Sequence, residues 1–256
     1  MPAHDVPQTV KDTSLAELIE IFRWLRNRGE EESHPTTVLI GGWAVYTYNQ
    51  WYGSIDIDLV TNGRTRQDMM GYLKYNRGFI PLRDPTMAST TVMKEIQERG
   101  IRIGDILIDF MYREEICRFE GREEQCPFSL LDGRTEAREI GRGFSVIVPE
   151  QTLLLIFKLK AAWDRLFRLQ NGRSSNVEWE KAKLSKDRAD ILSLIDPNVR
   201  GTEIDIQYLG ERLHEYRFLE ETLRKISDDI EAIRFYSRMN QENVRYSIER
   251  LLQLAL

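Results

Sequence analysis

A short apolar run, Val38-Leu39-Ile40, ends in Gly41-Gly42. After a helix-compatible segment, Ser54-Ile55-Asp56-Ile57-Asp58-Leu59-Val60 carries two carboxylates two residues apart in a β-type run. Successive strand side chains point to opposite faces, so Asp56 and Asp58 share one face, about 6.6 Å apart along the strand. Ile55, Ile57 and Leu59 then face a core. A glycine turn lets bare backbone approach a ligand. Two carboxylates on the edge beside such a turn suit a divalent metal that holds a phosphate chain.

With 256 residues and 41% hydrophobic content the chain can bury a substantial core, and its length fits one or two domains. The net charge of −5 argues against a broadly basic coat for nucleic acid, though not against a local basic patch. Cys117 and Cys126 lie apart from any His, which is not a zinc spacing; they read as two unpaired thiols of a reducing cytosol. No segment pairs a basic stretch with a long apolar one, and no apolar run approaches the ~20 residues that span a bilayer, so the expected location is cytoplasmic. His4, His34 and His214 occupy a terminus, a polar loop and a charged helix, which leaves little for imidazole chemistry.

Leu15, Leu18, Ile19, Phe22 and Leu25 predict an amphipathic helix over 14–28, capped by Thr13 or Ser14 and stopped by Gly29, with residues 1–13 loose. A strand over 38–40, a helix from Gly42 to about Trp51, a strand over 55–60 and a helix over 66–76 follow. A β-rich block comes next: 90–97, 102–103 and 106–111, with turns at 98–100 and at Gly104. Phe144–Val148 is the last strand. After Pro149 the pattern turns helical: 150–169, then 178–194 ending at Asp196-Pro197, then two or three helices from Thr202 onward. The chain therefore divides into an α/β part, 1–149, and a helical part, 150–256.

Asp109 interrupts the apolar run Ile106-Leu107-Ile108-Asp109-Phe110-Met111. An unpaired buried carboxylate costs several kcal/mol, so this one must be paired, metal-bound or at an edge. If its strand lies beside that of Asp56, the three carboxylates converge; Asp105, four residues earlier on the same face, is the alternative third ligand. Such a set would hold one or two Mg²⁺ ions, and the third carboxylate could take a proton from an attacking hydroxyl.

The run Gly41-Gly42-Trp43-Ala44 followed by Ser54-Ile55-Asp56-Ile57-Asp58 resembles the head motif of the nucleotidyltransferase superfamily typified by DNA polymerase β. The Gly-Gly-Trp variant is similar to antibiotic nucleotidyltransferases. The overall likeness is to the AbiEii-type branch of toxin nucleotidyltransferases, in which the sheet is followed by a helix with spaced Lys, Ala and Arg, then by a Lys/Arg-Asp-x-x-Asp helix. Lys158, Ala161 and Arg165 match the first, and Lys186-Asp187-Arg188-Ala189-Asp190 the second. The spacing sets Lys158, Ala161 and Arg165 along one helical face. The likeness spans residues 36–60 and 104–195.

That resemblance implies an α+β fold: a small mixed, mostly antiparallel sheet flanked by helices, followed by an all-helical C-terminal half. It implies transfer of a nucleoside monophosphate from an NTP to a hydroxyl of RNA, protein or a small molecule, with two Mg²⁺ ions on Asp56, Asp58 and Asp109. Gly41, Gly42, Ser54, Lys158 and Arg165 would bind the nucleotide, and Asp187 and Asp190 would order the basic residues or the nucleotide itself. A toxin of this kind would have an antitoxin-like protein partner and no membrane. Two positions depart from the pattern. Trp43 stands where many relatives carry Ser or Thr, and is expected to pack between helix and sheet; Tyr52 stands where an Arg is usual. The rival reading is a weak or inactive nucleotide-binding or protein-interaction module on the same fold.

Overall fold

The computed structural model describes residues 6–82, 90–141 and 143–256. They form two compact units: the described part of Asp5–Glu115 with Leu131–Pro149, and Ile116–Leu130 with Glu150–Leu256. The segment Ile116–Leu130 lies with the helices and not with the sheet.

The first unit opens with α1 (Gln8–Asn27), which starts well before Ser14. Val10 extends the buried stripe of Ser14, Leu18, Ile21 and Leu25 by one more turn, so the polar residues around it are drawn into the helix. Ser14 is not a cap; its hydroxyl donates to the Ile55 carbonyl at 2.8 Å. Next come β1 (Val38–Ile40), α2 (Gly41–Tyr48), β2 (Ile57–Thr61) and α3 (Gly63–Asn76). The strand expected from residue 55 begins at Ile57. The helix expected from residue 66 begins at Gly63, because the Asn62 side chain caps it by accepting from the Thr65 N–H at 2.8 Å.

Beyond β3 (Ile80–Pro81), β4 (Thr91–Glu98) and β5 (Ile101–Tyr112) form a hairpin. Its turn places Arg99 and Gly100 at φ 51° and 79°, the left-handed pair that a tight hairpin needs. The break expected at Gly104 does not occur: β5 runs straight through it. A Cβ there would stand 3.1 Å from the Val10 side chain, so this glycine admits α1 against the strand. The strand order is β1-β2-β5-β4-β3, with β2 and β5 parallel and the other pairs antiparallel. A separate antiparallel pair joins β6 (Thr135–Gly141) to β7 (Phe144–Pro149). Ile57, Leu59, Ile106, Ile108 and Phe110 are buried on one face, each contributing about 1.5–3 kcal/mol. The alternation leaves Asp58, Leu107, Asp109 and Met111 half-buried.

The second unit is built on α4 (Gln151–Gln170) and α5 (Val177–Ile195), followed by α6 (Ile206–Glu215), α7 (Arg217–Lys225), α8 (Ile230–Tyr236) and α9 (Gln241–Ala255). Four helices follow Thr202, where two or three were expected. Three of them start on their own cap: Asp205, Asp229 and Asn240 accept from the N–H groups of Tyr208, Ala232 and Asn243 at 2.8–3.0 Å. In Ile116–Leu130, Phe119 packs against Tyr216 and Phe218, with ring centroids 5.0 and 4.9 Å away. The molecule is α+β: a mixed, mostly antiparallel sheet with helices, then a helical C-terminal half. Among the described residues no helix is long and apolar enough to cross a membrane.

Candidate active site

Two groups of expected site residues come together, each within its own unit. The first is the pair Asp58 and Asp109 on the sheet. Asp58 in β2 is in register with Asp109 in β5 on one side and with Ile40 at the end of β1 on the other. Parallel neighbours in register present their side chains on the same face with about 4.8 Å between strands, so Asp58 and Asp109 stand side by side. Asp109 is also in register with Thr91 of β4, whose hydroxyl donates to Asp109 Oδ1. Asp56 lies just ahead of β2 and is half-buried. Asp105 is in β5 as well, but it is ion-paired with Arg102 and in register with Glu95, toward the far end of the hairpin.

Gly41 explains why the glycine pair is where it is. It begins α2 with φ +71°, a conformation that costs an L side chain about 1–2 kcal/mol. A Cβ on it would fall 1.9 Å from Asp58 Oδ2. The Asp58 carboxylate therefore lies against the bare backbone at the N-terminal, positive end of α2. Gly42 is buried beside it. Ser54 is buried in the segment between α2 and β2.

Trp43 is 3% exposed, donates from Nε1 to Ser14 Oγ at 3.0 Å and packs on Gly53. It is part of the core between α1 and α2 and does not offer a face for stacking a base. The Tyr52 ring carries the Lys11 ammonium 3.5 Å from its centroid, so a cation stands next to this position although the residue itself is not Arg.

The second group is ionic and joins α4 to α5. Lys158 Nζ lies 2.7 Å from Asp190 and 3.0 Å from Asp187. Arg165 Nε donates to Asp187 at 2.8 Å, and its Nη1 to Glu180 at 3.0 Å. Arg168 reaches Glu180 at 2.7 Å and Glu120 at 3.4 Å, while Lys186 holds Asp190 at 2.9 Å. Four cations thus face four carboxylates. Burial pulls the Lys158 pKa down, but Asp190 and Asp187 outweigh it and hold the ammonium above its ordinary value. Burial likewise pushes Asp187 up, and Lys158 and Arg165 more than reverse this, leaving its carboxyl below the usual range.

Thr91, Glu120, Arg168 and Glu180 are partners that sequence spacing did not single out. Lys186 was legible as a position in the Lys-Asp-x-x-Asp run; Thr91 and Glu120 become neighbours only through strand register and chain folding.

Among the described residues no three His, Cys, Asp or Glu side chains form a ready-made metal cluster. The donor chemistry nevertheless fits Mg²⁺, which takes one or two carboxylates and fills its remaining positions with water and substrate phosphate. Asp58 and Asp109, adjacent and both hard oxygen donors, are such a pair.

No protein-family model matches the sequence, and neither does any curated protein. Among solved structures the chain is similar to an antigenic nucleotidyltransferase-like protein from Paracoccidioides brasiliensis, with 14% identity, a TM-score of 0.47, and coverage of 96% of this chain and 95% of that one.

Proposed function

We propose that this protein is a Mg²⁺-dependent nucleotidyltransferase that moves a nucleoside monophosphate from an NTP to an acceptor hydroxyl. The observation that carries the reading is the juxtaposition of Asp58 and Asp109 in register on neighbouring strands, with the Gly41 backbone against the Asp58 carboxylate. Asp58 and Asp109 would hold the metal, with Asp56 at the head of β2 completing the set for a second ion. The metal would neutralise phosphate charge as the α-phosphorus is attacked.

Gly41 and Gly42 would bring N–H groups at the start of α2 close to the phosphates, with Ser54 in the neighbouring segment. Asp109, aimed by the Thr91 hydroxyl, would take the proton from the acceptor oxygen as it bonds to the α-phosphorus and pyrophosphate departs. In this reading Asp187 and Asp190 fix Lys158 and Arg165, the cations that the sequence resemblance assigns to the nucleotide. The acceptor (RNA, protein or small molecule), the toxin role with its antitoxin-like partner, and the cytoplasmic location are supported by the sequence resemblance alone.

One observation favours the second reading, a binding module without turnover. Lys158 is 7% exposed and already faces two carboxylates, so its charge is spent within the helical unit. Incubation with Mg²⁺ and each NTP labelled at the α-phosphate, with RNA, protein and aminoglycoside-like acceptors in turn, separates the two. The transferase predicts transfer that falls about a hundredfold or more in Asp58→Asn and in Asp109→Asn. Nucleotide binding without transfer to any acceptor would establish the module, and transfer of a γ-label alone would exclude both the monophosphate chemistry and its acceptor step.

A further inference from the structure

The helical unit carries an exposed aromatic residue, Trp179, that the transferase reading does not use. Trp179, in the first turn of α5, is 48% exposed. The Arg165 guanidinium lies 5.2 Å from its ring centroid and the Lys183 ammonium 5.6 Å. Arg165 is itself clamped by Asp187 and Glu180, so the cation over the ring is fixed in place. The same network continues through Arg168 and Glu120 to Arg173, which lies 5.5 Å from the Phe167 ring centroid. Phe167 stacks with Trp163, and the exposed Arg122 covers Trp163 at 5.2 Å. Two ring–cation contacts, Trp179 with Arg165 and Lys183, and Phe167 with Arg173, are thus joined by carboxylates along α4 and α5.

The charge of this stretch runs against that of the chain. Residues 165–186 contain six basic and two acidic residues, a net of +4 in a protein of net charge −5. Arg165, Arg168 and Lys186 are ion-paired with Glu180, Asp187, Glu120 and Asp190, so the charge toward solvent comes from Arg173, Lys181 and Lys183, beside the exposed Glu178. Cations that follow a backbone, next to rings on which unpaired bases stack, are the two elements that single-stranded nucleic acid requires. A duplex keeps its bases stacked on one another and would meet only the charges. A basic surface that served merely for solubility would not need an exposed indole held by a fixed guanidinium.

We propose that the α4–α5 face, centred on Trp179, binds a single-stranded polynucleotide. The test is fluorescence anisotropy with end-labelled single strands of about twelve nucleotides, RNA and DNA in parallel, against the matching duplex and against heparin, a polyanion without bases. Neither NTP nor Mg²⁺ is added, so the result is independent of the transferase reading. Single strands should bind more tightly than duplex or heparin. Trp179→Ala should weaken them about tenfold or more, and Trp179→Phe should restore most of the affinity. Arg173→Glu should lower the slope of log K against log salt by about 0.7 or more. Circular dichroism of each variant confirms that the helices persist. Preference for RNA over DNA, or the reverse, identifies which strand is the ligand. No binding at protein concentrations of about 100 µM would overturn the proposal, as would equal affinity for heparin with no effect of Trp179→Ala.

Discussion

A single missing methyl group decides the geometry beside Asp58. Gly41 combines a left-handed φ with a Cα that leaves no room for Cβ, because Asp58 Oδ2 occupies that space. The two constraints are independent, and both act on Gly41→Ala. The backbone term alone costs about 1–2 kcal/mol, and the steric term must also move the carboxylate away from its neighbour in register, Asp109. Gly41→Ala is therefore expected to lower the urea midpoint and to abolish label transfer together. Gly78→Ala has a similar φ, +76°, and nothing near its Cβ, and should show only the stability loss. Transfer activity retained by Gly41→Ala would show that Asp58 need not stand where it does. The sequence marked Gly41 as the turn that ends an apolar run, Asp58 through its spacing from Asp56, and Asp109 because a carboxylate inside an apolar run is costly unless it is paired or bound. It did not mark Thr91, since a threonine in a strand is unremarkable until its register with Asp109 is known. Trp43 was expected to pack between helix and sheet, and its burial between α1 and α2 places it in the core.

Between α4 and α5 the charges are satisfied among themselves, and this sets how the pair of helices responds to mutation and acid. Asp187 accepts from Arg165 and pairs with Lys158, all of it largely out of water. Removing one partner of a buried network leaves the others uncompensated, at about 3–5 kcal/mol. Asp187→Ala should lose stability in that range by urea denaturation. The depressed Asp187 pKa gives the sign of the pH effect. Stability contributed by this carboxylate is complete above its unfolded value, near pH 4, and drains away as pH falls through the lower folded value. The gap between wild type and variant should thus be constant from pH 5 to 7 and narrow in stronger acid; a gap that widened on acidification would remove Asp187 from the network. Element boundaries were less legible than these pairs. Helix α1 began before its expected start, since a lone Val10 among polar residues gives too little periodicity to read, and β5 ran unbroken through a glycine whose role is to admit α1. The caps at Asp205, Asp229 and Asn240 were present as residue types but masked by the near-continuous helical pattern around them.

For the molecule as a whole, the sequence placed the division where the helical pattern begins, and one earlier segment, Ile116–Leu130, lies with the helices. Ile116–Leu130 is short, polar in places and precedes the last two strands, so nothing in its periodicity assigns it to the helices. Its burial does. Phe119 is 1% exposed against Tyr216 and Phe218, the Tyr216 hydroxyl donates to the Gln125 carbonyl at 2.7 Å, and Glu120 N–H donates to Asp164 at 2.8 Å. Cys126 is fully buried in the same segment, where loss of hydration pushes its thiol up to about 12. A cut after Pro149 therefore removes a plug from the helical unit. Residues 150–256 alone should expose the aromatic cluster, bind a hydrophobic dye such as ANS and unfold without a sharp transition. Adding a peptide of residues 116–130 should suppress dye binding and restore cooperativity. Phe119→Ala in that peptide should weaken the rescue, since deleting a buried Phe side chain costs about 3–5 kcal/mol. If 150–256 instead melts cooperatively without dye binding, the helices close their own core, and Ile116–Leu130 decorates that unit without completing it.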